Sequence, residues 1–149
     1  MSEKIRPILA AEDEDSDRMI LEMAFQRAKM PCPLVLVRDG QEAVDYFSGK
    51  GRYADRAAHP LPALVVLDLK MPRMNGFDVL GWLAERPDFK EIPAVVLSSS
   101  ADEIDMNKAR QLGAREYFVK PHSLDDLIKI AHQIQTRWLA AAASDMKKT

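Results

Sequence analysis

The sequence predicts an α/β domain with a doubly wound, five-stranded parallel sheet of strand order 2-1-3-4-5. Three observations lead there. Short aliphatic runs alternate five times with longer stretches of helical periodicity, the β-then-α rhythm of parallel crossovers. The runs are scarcely interrupted by polar residues, as in strands covered on both faces. Polar residues with chemical potential stand immediately after three of them: Glu12-Asp13 after 8–11, Asp68 after 64–67, and Lys120-Pro121 after 117–119. In such sheets the ligand crevice lies outside the carboxyl ends of the strands. Residues far apart in sequence would therefore meet at one edge.

Residues 7–11 form the first strand. Asp15 or Ser16 caps a helix running to about Met30, with Met19, Ile20, Met23, Ala24 and Arg27 at three-to-four spacing. The second strand, 34–37, is stopped by Asp39-Gly40, and 41–47 is a short helix with Ala43, Val44 and Phe47 inward. Residues 48–62, with Gly49, Gly51, Pro60 and Pro62, make a long loop. The central strand is 63–67; a turn over 71–76 leads to a helix over 77–85 that ends before Pro87. A fourth strand at 94–97 precedes a helix over 102–112 closed by Gly113, and 116–119 is the fifth strand. Ser123-Leu124-Asp125-Asp126 has the form of a capping box and opens the last helix. With right-handed crossovers the topological switch point falls between the first and third strands, which end at Asp13 and Asp68.

Composition excludes several classes. At 149 residues the chain suits one domain, expected over 1–143, with the last helix reaching about 139–143 and a disordered tail at 144–149. A net charge of -2 offers no basic field for nucleic acid or anionic lipid. Cys32 alone builds neither a disulfide framework nor a thiolate zinc site. No stretch is long and apolar enough to span a membrane, and the N-terminus lacks a signal-peptide core, so the expected location is cytoplasmic.

The converging residue types suit a divalent cation and a phosphoryl group. Mg²⁺ takes hard oxygen ligands, one or two of them carboxylates, and Glu12, Asp13 and Asp68 supply them. A carboxylate can also attack phosphorus to form an aspartyl phosphate, and Asp68, at the end of the central strand, is the best-placed nucleophile. Lys120 offers a point charge and Ser98 a hydroxyl toward phosphoryl oxygens. Singly, each has a plainer reading: acids favouring a helix dipole, a turn cap, a solvated lysine, a polar loop. Their joint placement at strand ends is what argues for a site.

At these residues the chain resembles the response-regulator receiver family. The resemblance rests on Ile8-Leu9-Ala10-Ala11-Glu12-Asp13, Val65-Val66-Leu67-Asp68-Leu69-Lys70-Met71-Pro72-Arg73-Met74-Asn75-Gly76, Ser98, Gly113-Ala114 and Tyr117-Phe118-Val119-Lys120-Pro121. It covers about 7–139 and implies the flavodoxin-like (β/α)5 fold. Gly51-Arg52-Tyr53-Ala54 and Thr136-Arg137-Trp138-Leu139 look more particularly like stand-alone receivers paired with phytochrome-like histidine kinases.

The resemblance implies that Asp68 accepts a phosphoryl group from a sensor histidine kinase. Asp13, Asp68 and the backbone carbonyl of Lys70 would bind Mg²⁺, with Glu12 acting through water. Ser98 and Lys120 would contact the phosphoryl oxygens. Tyr117 would swing inward as Ser98 moves, and the Lys120-Pro121 bond would be cis. The protein would catalyse only its own phosphorylation and dephosphorylation, and with no output domain expected its signal would leave by protein contact. Lys70 stands where a small amide is common, and its stem could shield the phosphoryl group from water.

The last helix carries a stripe of Leu124, Leu127, Ile128, Ala131 and Ile134, continued by Trp138, with Ile130 off it. The span from Leu124 to Trp138 is about 21 Å, against about 17 Å for a five-residue strand. Trp138 is therefore expected to overhang the sheet and to serve a homodimer through the fourth or fifth helix. Two rivals compete. A haloacid-dehalogenase-type phosphatase would use Asp13-Glu14-Asp15, Ser98, Lys120 and Asp125-Asp126, leaving Asp68 without a role. A phosphorylation-independent scaffold would leave the acidic site unexplained.

Overall fold

Consecutive residues of a strand point to opposite faces, and here both faces need apolar cover. In the computed structural model, which describes residues 6–139, the strands are β1 (Ile8–Ala11), β2 (Leu34–Val37), β3 (Leu64–Leu67), β4 (Ala94–Ser98) and β5 (Glu116–Val119). All pair in parallel, in the order β2-β1-β3-β4-β5. Leu9, Ala11, Val65, Leu67 and Val96 join one core with Ala43, Phe47, Val79 and Leu80. Ile8, Ala10, Leu64, Val66, Val95 and Leu97 join the other with Leu21, Phe25, Ala131 and Ile134. The expected topology and sheet order hold.

The helices are α1 (Asp15–Arg27), α2 (Gly40–Ser48), α3 (Gly76–Ala84), α4 (Glu103–Gln111) and α5 (Leu124–Ile134). α1 and α5 cover one face, α2, α3 and α4 the other. Asp39, Asn75, Asp102 and Ser123 cap α2 to α5 through side-chain oxygens. Asn75 and Asp78 form a reciprocal capping box, whereas the one expected at Ser123 is half realised: its hydroxyl accepts from the Asp126 N–H at 3.1 Å. The long loop carries a 3₁₀ turn, Gly51–Tyr53. It is tied down by Arg56, which donates to the carbonyls of Tyr46, Phe47 and His59, and by the Tyr46 hydroxyl on the Pro60 carbonyl.

Several expectations are corrected. In α1 the buried stripe is Leu21, Ala24 and Phe25, while Met19 and Ile20 are 64% and 42% exposed. Both registers satisfy helical spacing, and the rotation imposed by packing on α5 selects the second. The helix also ends earlier than Met30. Lys29 adopts φ +55° and the Met30 N–H returns to the Phe25 carbonyl, reversing the chain.

Trp138 folds back rather than overhanging. Its indole Nε1–H donates to Glu116 Oε1 at 2.8 Å, Arg137 pairs with the same carboxylate, and Leu139 is buried. The cause is a π turn at Gln135–Leu139, whose i→i+5 geometry rotates Leu139 toward the core. Ile130, expected off the stripe, packs partly against the same core. The expected extension of the last helix to 143 and the tail at 144–149 lie outside the described residues.

No peptide bond among the described residues is cis, so Lys120-Pro121 is trans, against the expectation. Trans is the intrinsically favoured isomer, and in it the Lys120 N–H already bonds the Ser98 carbonyl at 2.8 Å.

Candidate metal and phosphoryl site

The sheet ladder itself delivers the acids. The Glu12 N–H donates to the Val37 carbonyl and the Asp68 N–H to the Ala11 carbonyl, so β1 and β3 release their chains side by side. Carboxylate oxygens of Glu12, Asp13 and Asp68 all lie within 4.8 Å of one another. Glu12 and Asp68 are buried and Asp13 is half-buried. β5 ends beside β4, with Ser98 opposite Val119, and brings Lys120 to the same edge.

Lys120 bridges the cluster. Its ammonium lies 2.8 Å from Glu12 Oε2, 2.9 Å from Asp17 Oδ2 and 3.1 Å from Asp68 Oδ2. Burial would lower the ammonium's pKa, but its hydrogen bonds to Glu12 and Asp17 and the charge on Asp68 hold it above the ordinary lysine value. Glu12 moves the other way from most paired acids. Burial, with the Asp68 carboxylate adding to it, pushes its pKa up to about 8 despite Lys120.

Glu12 Oε1 is buried with no hydrogen-bond partner among the described residues. An orphaned carboxylate oxygen beside two further carboxylates fits a hard divalent cation, whose oxygen ligands are of this kind.

Of the other expected residues, Ser98 is buried and its hydroxyl accepts from the Ser100 N–H at 3.2 Å. The Lys70 N–H donates to Asp68 Oδ1 at 3.3 Å, while its side chain is exposed. Tyr117 is half-buried, its hydroxyl on the Ser100 carbonyl at 2.8 Å. Two contributors were not foreseen. Asp17 shares Lys120, and its place in the first turn of α1, just after Glu12-Asp13, was the available signal. Arg73 pairs with Asp39 across two loops, and no sequence spacing announces that contact.

Residues 8–132 match the family model described as the response regulator receiver domain. The response regulator Rcp1 of Synechocystis is 32% identical over 142 residues, covering 93% of this chain and 95% of Rcp1. The structure of the phosphorylated cyanobacterial phytochrome response regulator RcpA superposes with a TM-score of 0.83 at 33% identity, covering 93% of this chain and 96% of that one. The Mn²⁺-bound form of Rcp1 gives 0.79 at 32% identity, covering 91% and 95%.

Proposed function

Because the chain belongs to the response-regulator receiver family, we propose that Asp68 is its phosphoacceptor, receiving a phosphoryl group from a histidine kinase in a Mg²⁺-dependent reaction. The observation that carries this reading is the convergence of Glu12, Asp13, Asp68 and Lys120 at the switch point of the sheet. An Asp68 carboxylate oxygen forms the new bond to phosphorus as the bond to the donor's imidazole nitrogen breaks, and the electron pair leaves with the imidazole. Asp13, Asp68 and the Lys70 carbonyl would hold Mg²⁺, with Glu12 through water, and the ion would supply positive charge to the phosphoryl oxygens. Lys120, with three donors, moves one of them from carboxylate to phosphoryl oxygen, and Ser98 contributes a hydroxyl.

The phosphoryl group switches the protein only through contacts that one state makes and the other lacks. Moving an equilibrium from 1:99 to 99:1 needs about 5.5 kcal/mol, and contacts from Lys120 and Ser98 at roughly 1–3 kcal/mol each supply much of it. Tyr117, with its hydroxyl on the loop after Ser98, is the residue that couples this change to the α4–β5–α5 face.

Likeness to phytochrome response regulators supports a phytochrome-like kinase as the partner. Exposed Ile104 and Val119 support a homodimer on the side of the fourth helix. No helix among the described residues is long and apolar enough to cross a membrane.

The test is phosphorylation by acetyl phosphate with and without Mg²⁺, read by intact mass. Wild type should gain one base-labile phosphoryl group only with Mg²⁺, and Asp68→Asn should gain none. An unmodified wild type, folded and metal-loaded, overturns the reading.

A further inference from the structure

Resting on that reading, we propose that Arg73 and Asp39 form a positioning clamp. It fixes the loop between β3 and α3 and, through it, the Asp68 carboxylate and its metal-binding cluster. Arg73 donates Nε–H to Asp39 Oδ2 at 2.9 Å and Nη2–H to Oδ1 at 3.1 Å. This is the planar fork-on-carboxylate geometry that only arginine provides. Asp39 is buried, and its Oδ1 also accepts the Glu42 N–H as the cap of α2. One carboxylate therefore ties the start of α2 to the loop that follows Asp68.

The backbone argues that this is more than an incidental surface pair. Arg73 sits at φ +63°, in the left-handed region that residues other than glycine rarely adopt. Next to it, the Met74 carbonyl accepts the Gly40 N–H at 2.9 Å, and a Cβ on Gly40 would lie 2.3 Å from that oxygen. The two turns thus touch main chain to main chain where the side chains bridge them. At the near end of the loop, the Lys70 N–H meets Asp68 Oδ1 and the Gly76 N–H returns to the Leu69 carbonyl at 3.2 Å. A loop this short, held at both ends, transmits a shift at Arg73 to the peptide that orients Asp68.

Capping alone asks less of these residues. An N-cap needs one acceptor, which asparagine supplies as well as aspartate. Asp39→Asn keeps the cap and loses the ion pair. Arg73→Asn tolerates the left-handed backbone and loses the fork. Arg73→Lys keeps the charge as a single point donor.

The experiment measures Mg²⁺ binding to the unphosphorylated full chain by calorimetry, beside the thermal midpoint of each metal-free variant. Arg73→Asn and Asp39→Asn should each weaken Mg²⁺ binding by about 10-fold or more, the effect expected of groups that orient metal ligands. The double variant should be no weaker than either single, since both remove the same contact. Arg73→Lys should fall between wild type and Arg73→Asn in Mg²⁺ affinity, with every metal-free variant, though less stable than wild type, fully folded at the titration temperature. Wild-type Mg²⁺ affinity in the three single variants, or additive losses in the double variant, overturns the clamp. Failure of wild type itself to bind Mg²⁺ overturns the functional reading beneath it, so the two failures are distinguishable.

Discussion

Lys120, Asp17 and Asp39 show how much of a site lives in single side chains. A lysine after a strand is legible in the sequence. That its ammonium would be shared among Glu12, Asp17 and Asp68 is not, because Asp17 arrives from a different element. Asp39 was legible only as the stop of a strand. Burial alone would raise its carboxyl pKa, but hydrogen bonds from Arg73 and from the N–H of Glu42, with the charge of Arg73, outweigh burial and hold it below its ordinary value. Its folded pKa is thus lower than the unfolded value of about 4. The stability it contributes is complete above that value and is lost as pH falls through the folded pKa. Asp39→Asn should therefore be less stable than wild type near neutral pH, with the gap closing on acidification below about pH 4. Urea melts across that range check this, and a gap that does not change with pH would count against the charge.

Elements were read best where their signals are local. The strands 34–37 and 116–119 and the cap residue Ser123 fall where periodicity and capping chemistry put them. α1 takes a rotation other than the expected one because two apolar registers coexist along it, and the choice belongs to its partner α5. α3 begins at Gly76 for a reason only packing reveals: a Cβ there would stand 2.4 Å from the Asp68 carbonyl oxygen and 3.0 Å from Leu69 Cα. Both are backbone atoms that cannot swing aside. Gly76→Ala should destabilise by about 2–3 kcal/mol, as overpacking does, and distort the loop after Asp68. Thermal unfolding measures the first effect and Mg²⁺ titration the second; an alanine variant matching wild type in both would show that the loop has room to move.

On the scale of the whole molecule, the sheet concentrates negative charge that isolated segments would not hold. Glu12, Asp13 and Asp68 crowd together in a partly buried cluster with Lys120 in contact with two of them. Such a site is held at a cost to stability and is relieved by a bound cation. Asp13→Asn should raise the stability of the metal-free protein by about 0.5–2 kcal/mol, as other relieved functional sites do. It should also abolish the stabilisation of wild type by Mg²⁺, which at a hundredfold excess over the dissociation constant is about 2.7 kcal/mol. Paired thermal melts with Mg²⁺ and with chelator decide it. Equal Mg²⁺ responses in the two proteins would remove Asp13 from the metal site.

The strand order, the acids and lysine at the strand ends, and the family they mark are legible along the chain. Those signals are carried by neighbours along the chain: unbroken apolar runs, caps, and the residues just past each strand. The buried face of α1, the return of Trp138 to Glu116, the trans Lys120-Pro121 bond and the pairing of Arg73 with Asp39 emerge only on folding. Each depends on how a helix is rotated or where two distant turns meet. Rotation and proximity are set by packing across the sheet, which no local spacing encodes.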